Sequence, residues 1–511
     1  MRNCVTARLL DSGREGHYHF DSTTMKIHEF CDLILQRFGF PPTEDQKNAL
    51  DCFGHFLASR HDMPVMILKG SAGTGKTSIV AAMVQTLVSL RQRVVLMAPT
   101  GRAAKVISLN AGLPASTIHR KIYRQKTFQG DFNLNFNNYS NTLFVVDEAS
   151  MISSMPTGET GFGTGSLLDD LMQYVFSGEN CRLMLIGDTA QLPPVGEEES
   201  PALLSDMIEG YGAQVFECRL EEVLRQSAES GILYNATMIR QLIQHDEATE
   251  LPKITFSRFP DIHIMPGNEI IDSLSMSYRD VGYDETIVIT RSNKNATLYN
   301  NGIRNQVLDR DSLLCQGDNL MIVRNNYFYR ADKASDSDNK ENGIGKGGMF
   351  IANGDRATVV RIRKQHELYG FHFAEVLLRF PDYDDLELET MLLTDTLQSD
   401  SPSLTQTQYQ ALFSAIEEDY MDIHLKADRI KAVRNDPFFN ALQVKYAYAV
   451  TCHKAQGGQW ANVYIDQGYM TDDMLTPDYI HWLYTAFTRA TENLYLVNWP
   501  KTQNGDMMVN A

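Results

Sequence analysis

The sequence predicts an α/β fold in which a doubly wound parallel sheet is built twice, with a small β-rich unit set into the second copy. Three observations predict it. Short apolar runs at residues 65–68, 143–146 and 183–186 alternate with helix-compatible stretches, and each run ends in a glycine-rich or acidic loop. Buried parallel strands read this way. A second set of runs at 286–289, 446–450, 463–465 and 494–497 repeats the alternation. Between these, residues 319–323, 356–362 and 371–380 are β-rich without intervening helices. They fit a small inserted barrel, or else loops of the second α/β domain itself.

The first apolar run leads directly into Gly70-Ser71-Ala72-Gly73-Thr74-Gly75-Lys76-Thr77, followed by a helical stretch from Ser78. This is the pattern G-x-x-x-x-G-K-[ST] in its strand–loop–helix context. Glycines let the backbone curl so that its N–H groups face phosphate oxygens. The helix N-terminus adds its positive dipole end. Residues 70–78 are therefore predicted to cradle a nucleotide triphosphate, with Lys76 on the β- and γ-phosphates and the Thr77 hydroxyl on Mg²⁺.

The second run ends in Asp147-Glu148-Ala149-Ser150. Carboxylates at the C-terminal end of a parallel strand sit where α/β sheets bind ligands. Asp147 is placed to hold Mg²⁺ and Glu148 to polarise the water that attacks the γ-phosphate. The third run ends in Gly187-Asp188-Thr189-Ala190-Gln191-Leu192-Pro193-Pro194-Val195. Gln191 is placed to sense the γ-phosphate or its attacking water. The two prolines stiffen this loop, or serve a plain turn.

Composition bounds the reading. A chain of 511 residues predicts two to four domains. Hydrophobic content of 43% and charged content of 22% are those of an ordinary soluble protein. No signal-like or 18-residue apolar segment occurs, so a cytoplasmic protein without a membrane partner is expected. Seven cysteines are scattered without a C-x-x-C pair, which predicts reduced thiols and no zinc site. The net charge of −18 argues against a surface that coats nucleic acid throughout. The charge is uneven, however. Residues 381–420 hold ten acidic side chains and no basic one, whereas residues 91–126 hold eight basic and no acidic. That basic stretch is either a solvated face or a groove for a polyanion.

In their order these segments resemble a superfamily 1 DNA helicase of the RecD-like and Dda group, over about residues 41–497. Pro42-Thr43-Glu44-Asp45-Gln46 is similar to the family's adenine-recognition motif, with Gln46 reading the base. Ala98-Pro99-Thr100-Gly101-Arg102-Ala103-Ala104 resembles the first single-strand-binding motif, and Ser116-Thr117-Ile118-His119 the second. The 220–226 segment resembles the one whose arginine, here Arg225, touches the γ-phosphate. Residues 448–457, with Thr451, His453 and Lys454, resemble the motif that grips DNA from the second motor domain. Residues 484–490 resemble the arginine-finger motif, here Arg489. The Gln-Leu-Pro-Pro-Val form of 191–195 favours the RecD, Dda and Pif branch.

The resemblance implies two tandem RecA-like P-loop NTPase domains with an inserted SH3-like barrel and a β-hairpin pin. The implied layout is an N-terminal extension at 1–40 and a first motor domain at 41–230. A second motor domain occupies 231–315 and 441–511, and the barrel with helices lies at 316–440. ATP and Mg²⁺ would occupy the cleft between the motors. Pro99, Thr100, Arg102, Thr117, His119, Thr451, His453 and Lys454 would meet single-stranded DNA. Guanidinium groups suit the spread charge of phosphoryl transfer, and losing an arginine finger costs ~10³–10⁵ in rate. Arg225 has an alternative in an ion pair with Glu221 or Glu222.

Residues 119–142 read as a hairpin turning at Gln129-Gly130-Asp131, where the family carries its pin. Phe128 and Phe132 flank the turn and either stack on the last base pair or pack on the motor domain. A helix is expected at 24–38, another at 406–430. Two features mislead. His17-Tyr18-His19 has too little chain around it for a metal-binding domain. Gly161-Phe162-Gly163-Thr164-Gly165 lacks a preceding strand and reads as a mobile loop. The expected partners are single-stranded DNA, single-to-double-strand junctions, and recombination or repair proteins, with the chain acting as a monomer. The expected activity is ATP-dependent DNA unwinding with 5′→3′ polarity. The alternatives are an ATPase subunit of a larger recombination or conjugation complex, and an RNA helicase.

Overall fold

The computed structural model describes residues 26–125, 132–156, 163–223, 229–245, 250–328 and 349–508. The chain divides into two compact units, the first running to Glu229 apart from residues 125–131, the second taking those and the remainder. The first unit is built on strands β1 (Pro64–Gly70), β2 (Arg93–Ala98) and β3 (Ala115–Thr117). A two-stranded sheet follows, β4 (Tyr123–Gln125) with β5 (Phe132–Leu134). Then come β6 (Thr142–Val146), β7 (Arg182–Gly187) and β8 (Gln214–Leu220).

The main sheet of this unit has the order β3-β2-β6-β7-β1-β8, and every pairing in it is parallel. Helices cover its faces, so β1, β6 and β7 are buried along their whole length. That is why these strands read as unbroken apolar runs and not as alternating patterns. The helices Ile27–Phe38, Glu44–Ala58 and Lys76–Ser89 share one core, with Phe30, Ile34, Phe53, Phe56, Ile79 and Met83 packed on Met66, Leu68 and Val145. The helix Ile27–Phe38 thus carries core residues, although its sequence lies within the segment read as an extension.

In the second unit, β9 (Ile262–Met265) and β10 (Thr286–Thr290) begin a second sheet. The strands β11 (Asn319–Ile322), β12 (Asn326–Phe328), β13 (Met349–Ile351), β14 (Arg356–Leu368), β15 (Phe371–Phe380), β16 (Leu386–Leu393) and β17 (Leu442–Tyr446) interrupt it. β18 (Ala449–Thr451), β19 (Trp460–Asp466) and β20 (Ala490–Val497) complete it. Its order is β18-β10-β19-β20-β9, again all parallel. The interruption contains a closed barrel, β11-β14-β15-β16-β17. Two register shifts in β14, at Val359/Arg361 and Ile362/Lys364, supply the curvature that closure needs.

The barrel corrects one sequence expectation. Residues 446–450 are not one strand. Tyr446 ends β17, which pairs with β11 in the barrel, whereas Ala449 begins β18 in the second sheet. The run is continuously apolar because both neighbours bury it, so its hydrophobicity hides the change of sheet. The barrel interior (Leu320, Val359, Val376, Leu378, Val444) is continuous with the core of the second sheet (Val288, Ala449, Tyr464). The expected helix at 406–430 is two helices, Gln406–Asp419 and Lys426–Asn435.

Candidate active site

In the first sheet β6, β7 and β1 lie side by side and run parallel, so the loops after Val146, Gly187 and Gly70 leave the same edge. Topology alone thus gathers the phosphate loop, Asp147-Glu148 and Asp188–Gln191, three segments far apart in sequence. The loop takes its shape from Gly73 and Gly75, both at positive φ (79° and 77°). Thr74 closes it by donating its hydroxyl to the Ser71 carbonyl at 2.8 Å. No side chain caps the helix Lys76–Ser89. Its first N–H groups therefore keep their capacity for an anion. The Lys76 ammonium donates to the carbonyls of Gly70 and Ser71, the latter at 2.9 Å. A Cβ on Gly70 would meet the Lys76 Cγ and Cδ at 2.9 Å and the Leu220 Cβ at 3.1 Å. Glycine is needed there because the lysine stem crosses its Cα. Thr77 and Ser78 are exposed in the first helical turn.

Gln46 is fully buried. Its Nε2 donates to the Thr74 carbonyl at 3.0 Å, and its Oε1 accepts the Thr43 N–H at 3.1 Å. The carboxamide thus completes the capping box of its own helix and also ties that helix to the phosphate loop. One N–H and one lone pair remain to it. The neighbouring Asp45 accepts the N–H groups of Glu221 and Glu222 at 2.8 and 2.9 Å. This anchors the chain just after β8, the segment leading to Arg225. Arg225 itself lies outside the described residues, as does Phe128.

Asp147 follows β6, its N–H bonded to the Met97 carbonyl at 3.0 Å. Its Oδ1 accepts the Glu148 N–H at 2.9 Å. Burial, with the Glu148 charge added, pushes the Asp147 carboxyl up to about 7, against the opposing pull of that N–H bond and of Lys76. A carboxyl so placed gains from a nearby cation. Glu148 has φ of 53°, a left-handed conformation that holds roughly 1–3 kcal/mol of strain in a non-glycine residue. Asp188 is buried and folds the next loop by accepting the Ala190 N–H at 3.0 Å. Gln191, 5% exposed, has an Oε1 with no hydrogen-bond partner among the described residues. A buried amide oxygen without a donor is unfavourable; a water or hydroxyl delivered to it would satisfy it.

These residues fit a Mg²⁺-nucleotide. Mg²⁺ needs one or two carboxylates beside phosphate oxygens, not a full protein cage. No group of three potential ligands occurs among the described residues; Thr77 with Asp147 would supply the smaller set.

The candidate DNA residues divide by burial. Pro99 follows β2 and Thr117 ends β3, on the same sheet edge as the nucleotide residues, where Ala98 pairs with Thr117. The Thr100 hydroxyl caps the helix Gly101–Ala111 by accepting the Ala103 N–H. Arg102 is half-buried. Thr117 is 1% exposed and caps the helix Ile118–Ile122 through the Arg120 N–H, so its hydroxyl is occupied locally. Burial lowers His119 to about 4; it can offer a ring or a hydrogen bond, not a charge. The Phe132 side chain lies outside the described part of β5, while Phe136, which alternates with Phe132 and Leu134 in the sequence but is not among the pin candidates, is 68% exposed just beyond it.

In the second unit Thr451 ends β18, and His453 and Lys454 follow in the short helix Cys452–Ala455. His453 is exposed; desolvation lowers its pKa and brings Lys454 down to about 8. Arg489 is 2% exposed. Its Nε, Nη1 and Nη2 donate to the Thr485 carbonyl, the Gly458 carbonyl and the Thr488 hydroxyl at 3.0–3.1 Å. As it stands, Arg489 is committed to its own domain. His17, Tyr18 and His19 lie outside the described residues, and Gly163-Thr164-Gly165 form a turn ahead of the helix Leu167–Phe176.

Comparison with known proteins matches residues 43–251 to an AAA domain and residues 446–497 to a UvrD-like helicase C-terminal domain. The ATP-dependent RecD2 DNA helicase of Deinococcus radiodurans is 33% identical over 196 residues, 38% of this chain and 23% of its own length. The ATP-dependent DNA helicase Dda of Enterobacteria phage T4 is 28% identical over 191 residues, 36% of this chain and 40% of its own. Over these regions the chain is similar to superfamily 1B DNA helicases. A Pif1 helicase from Bacteroides, in complex with ADP-AlF3 and single-stranded DNA, aligns over 91% of this chain and 94% of its own at 15% identity, with a TM-score of 0.46. The two matched regions hold, respectively, the phosphate-loop edge and the Thr451–Arg489 segment.

Proposed function

We infer that this chain is an ATP-hydrolysing DNA helicase that moves on single-stranded DNA, 5′→3′, and separates duplex DNA. The observation that carries the reading is the shared edge of β6, β7 and β1, where a phosphate loop, an acidic pair and the unpartnered Gln191 oxygen converge. Bound Mg²⁺ would neutralise phosphate charge, held by Thr77 and Asp147. Lys76 leaves its carbonyl partners to stabilise the β- and γ-phosphates. Glu148 takes the proton of the attacking water, and Gln191 accepts a hydrogen bond from it. Gln46 uses its remaining N–H and lone pair on the adenine edge. Arg225 and Arg489 stabilise the transition state; Arg489 does so by exchanging its carbonyl partners for phosphate oxygens. Pro99, Thr100, Arg102, His119, Thr451, His453 and Lys454 are the residues assigned to the DNA strand.

We assign residues 26–230 to the first RecA-like motor. Residues 231–318 and 447–508 form the second, and residues 319–446 the inserted barrel with its helices. No helix among the described residues is long and apolar enough to cross a membrane.

Forked, 5′-tailed and 3′-tailed DNA duplexes, with RNA equivalents and Lys76→Ala as control, test the reading. The 5′-tailed DNA should open with ATP, and Lys76→Ala should lower both hydrolysis and opening by about a hundredfold or more. A 5′-tailed duplex opened no faster than a blunt one sinks the helicase reading. ATP hydrolysis stimulated by DNA without strand separation would instead mark an accessory subunit.

A further inference from the structure

Asp170 is a fully buried carboxylate in the first unit, in the first turn of the helix Leu167–Phe176. Its Oδ2 accepts the Tyr123 hydroxyl at 2.6 Å. Both its oxygens face the Thr164 N–H, at 3.0 and 3.2 Å. A Cβ on Gly163 would lie 2.1 Å from Oδ2, and Gly163 has φ of 40°. Only glycine lets the backbone close over this carboxylate. The chain therefore builds a pocket around one acid. A buried carboxylate demands such partners.

Tyr123 opens β4, and β5 is held at its base where the Asn135 N–H meets the Ile122 carbonyl. The His119 ring lies 5.6 Å from the Tyr123 ring. Lys121 donates to the Tyr139 hydroxyl at 2.7 Å on the other side. Burial, then the Asp170 bond, raises the tyrosine pKa, so the hydroxyl stays a donor. Tyr123 thus stands between a candidate DNA-contacting histidine and the buried acid, at the root of the two-stranded sheet.

We propose that Tyr123 and Asp170 are positioning residues that fix the root of the β4–β5 sheet to the helix Leu167–Phe176, so that this sheet resists load when duplex DNA is forced open. The second half of that statement rests on the helicase reading; the first does not. Tyr123→Phe keeps the ring and removes the bond, and Asp170→Asn keeps the shape and removes the charge.

Two measurements decide. Hydrogen exchange of the amides at 122–125 and 132–135 should quicken about tenfold in both variants. The rate of fork unwinding should fall about fivefold or more, while hydrolysis stimulated by single-stranded DNA and affinity for that strand stay within about twofold. Unchanged exchange in Tyr123→Phe overturns the clamp, whether or not the protein unwinds DNA. Quickened exchange with unwinding and hydrolysis falling in parallel overturns its assignment as a positioning device. A wild-type protein that hydrolyses ATP but opens no fork defeats the helicase reading alone, and the exchange result still judges the clamp.

Discussion

Lys454 shows how burial sets the conditions under which a side chain can work. Desolvation lowers it to about 8, so it is charged below that pH and neutral above it. A DNA phosphate would raise the value, and binding would in turn be lost as the amine deprotonates. Affinity for single-stranded DNA should therefore fall as pH rises past about 8. Lys454→Arg should flatten that fall, and Lys454→Met should remove it and reduce the salt slope by about 1. A filter-binding titration at several pH values checks this. Gln191→Ala is expected to lower kcat for ATP about a hundredfold with little change in KM, because no described residue bonds its oxygen in the ground state. Steady-state kinetics decide that point. The phosphate loop, Asp147 and Gln191 were legible in the sequence because each sits in a contiguous motif behind an apolar run. What the sequence hid is how the side chains are engaged. Gln46 serves a helix cap and the loop together, Thr117 spends its hydroxyl on a cap, and Arg489 is bonded within its own domain. The two caps are local, three residues apart, but the bonds from Gln46 to the Thr74 carbonyl and from Arg489 to the Gly458 carbonyl join residues far apart in the chain, and no local pattern encodes those.

At the scale of elements, the parallel strands were legible because burial on both faces leaves a continuous apolar signature. The barrel was legible only in part. β16 alternates acidic and apolar residues inside a tract that reads as a charged surface, and β17 runs into β18 without a polar break. The junction is held instead by a buried carboxylate. Asp318, fully buried, accepts Arg304 Nε and Nη2 at 3.1 and 3.0 Å and Arg310 Nη1 at 2.8 Å. The Cys315 N–H also donates to it, at 2.7 Å. The Tyr448 hydroxyl joins the cluster, accepting from Arg310 and from the Asn319 N–H. Asp318→Ala would leave two guanidinium groups facing each other without their acceptor, a loss of about 3–5 kcal/mol for a buried pair. We expect a lower Tm for the unfolding of this unit, with ATP binding by the first unit unchanged. Differential scanning calorimetry with a nucleotide titration separates the two effects.

For the whole molecule, two compact units with separate cores predict more than one unfolding transition. A nucleotide that binds only the folded first unit should stabilise that transition by about 2.7 kcal/mol at a hundredfold excess over Kd. Lys76→Ala should abolish the shift, and calorimetry with a non-hydrolysable analogue reads it. The path of the chain into and out of the barrel has a consequence of another kind. It enters along β11 and leaves along β17, and these two strands are antiparallel neighbours, Leu320 opposite Tyr446 and Ile322 opposite Val444. Doorway and exit stand side by side, with the Ala447 N–H bonded to the Asn319 carbonyl at 2.9 Å. The barrel is therefore a cassette that the parent sheet could carry, exchange or lack without rerouting a single strand of its own.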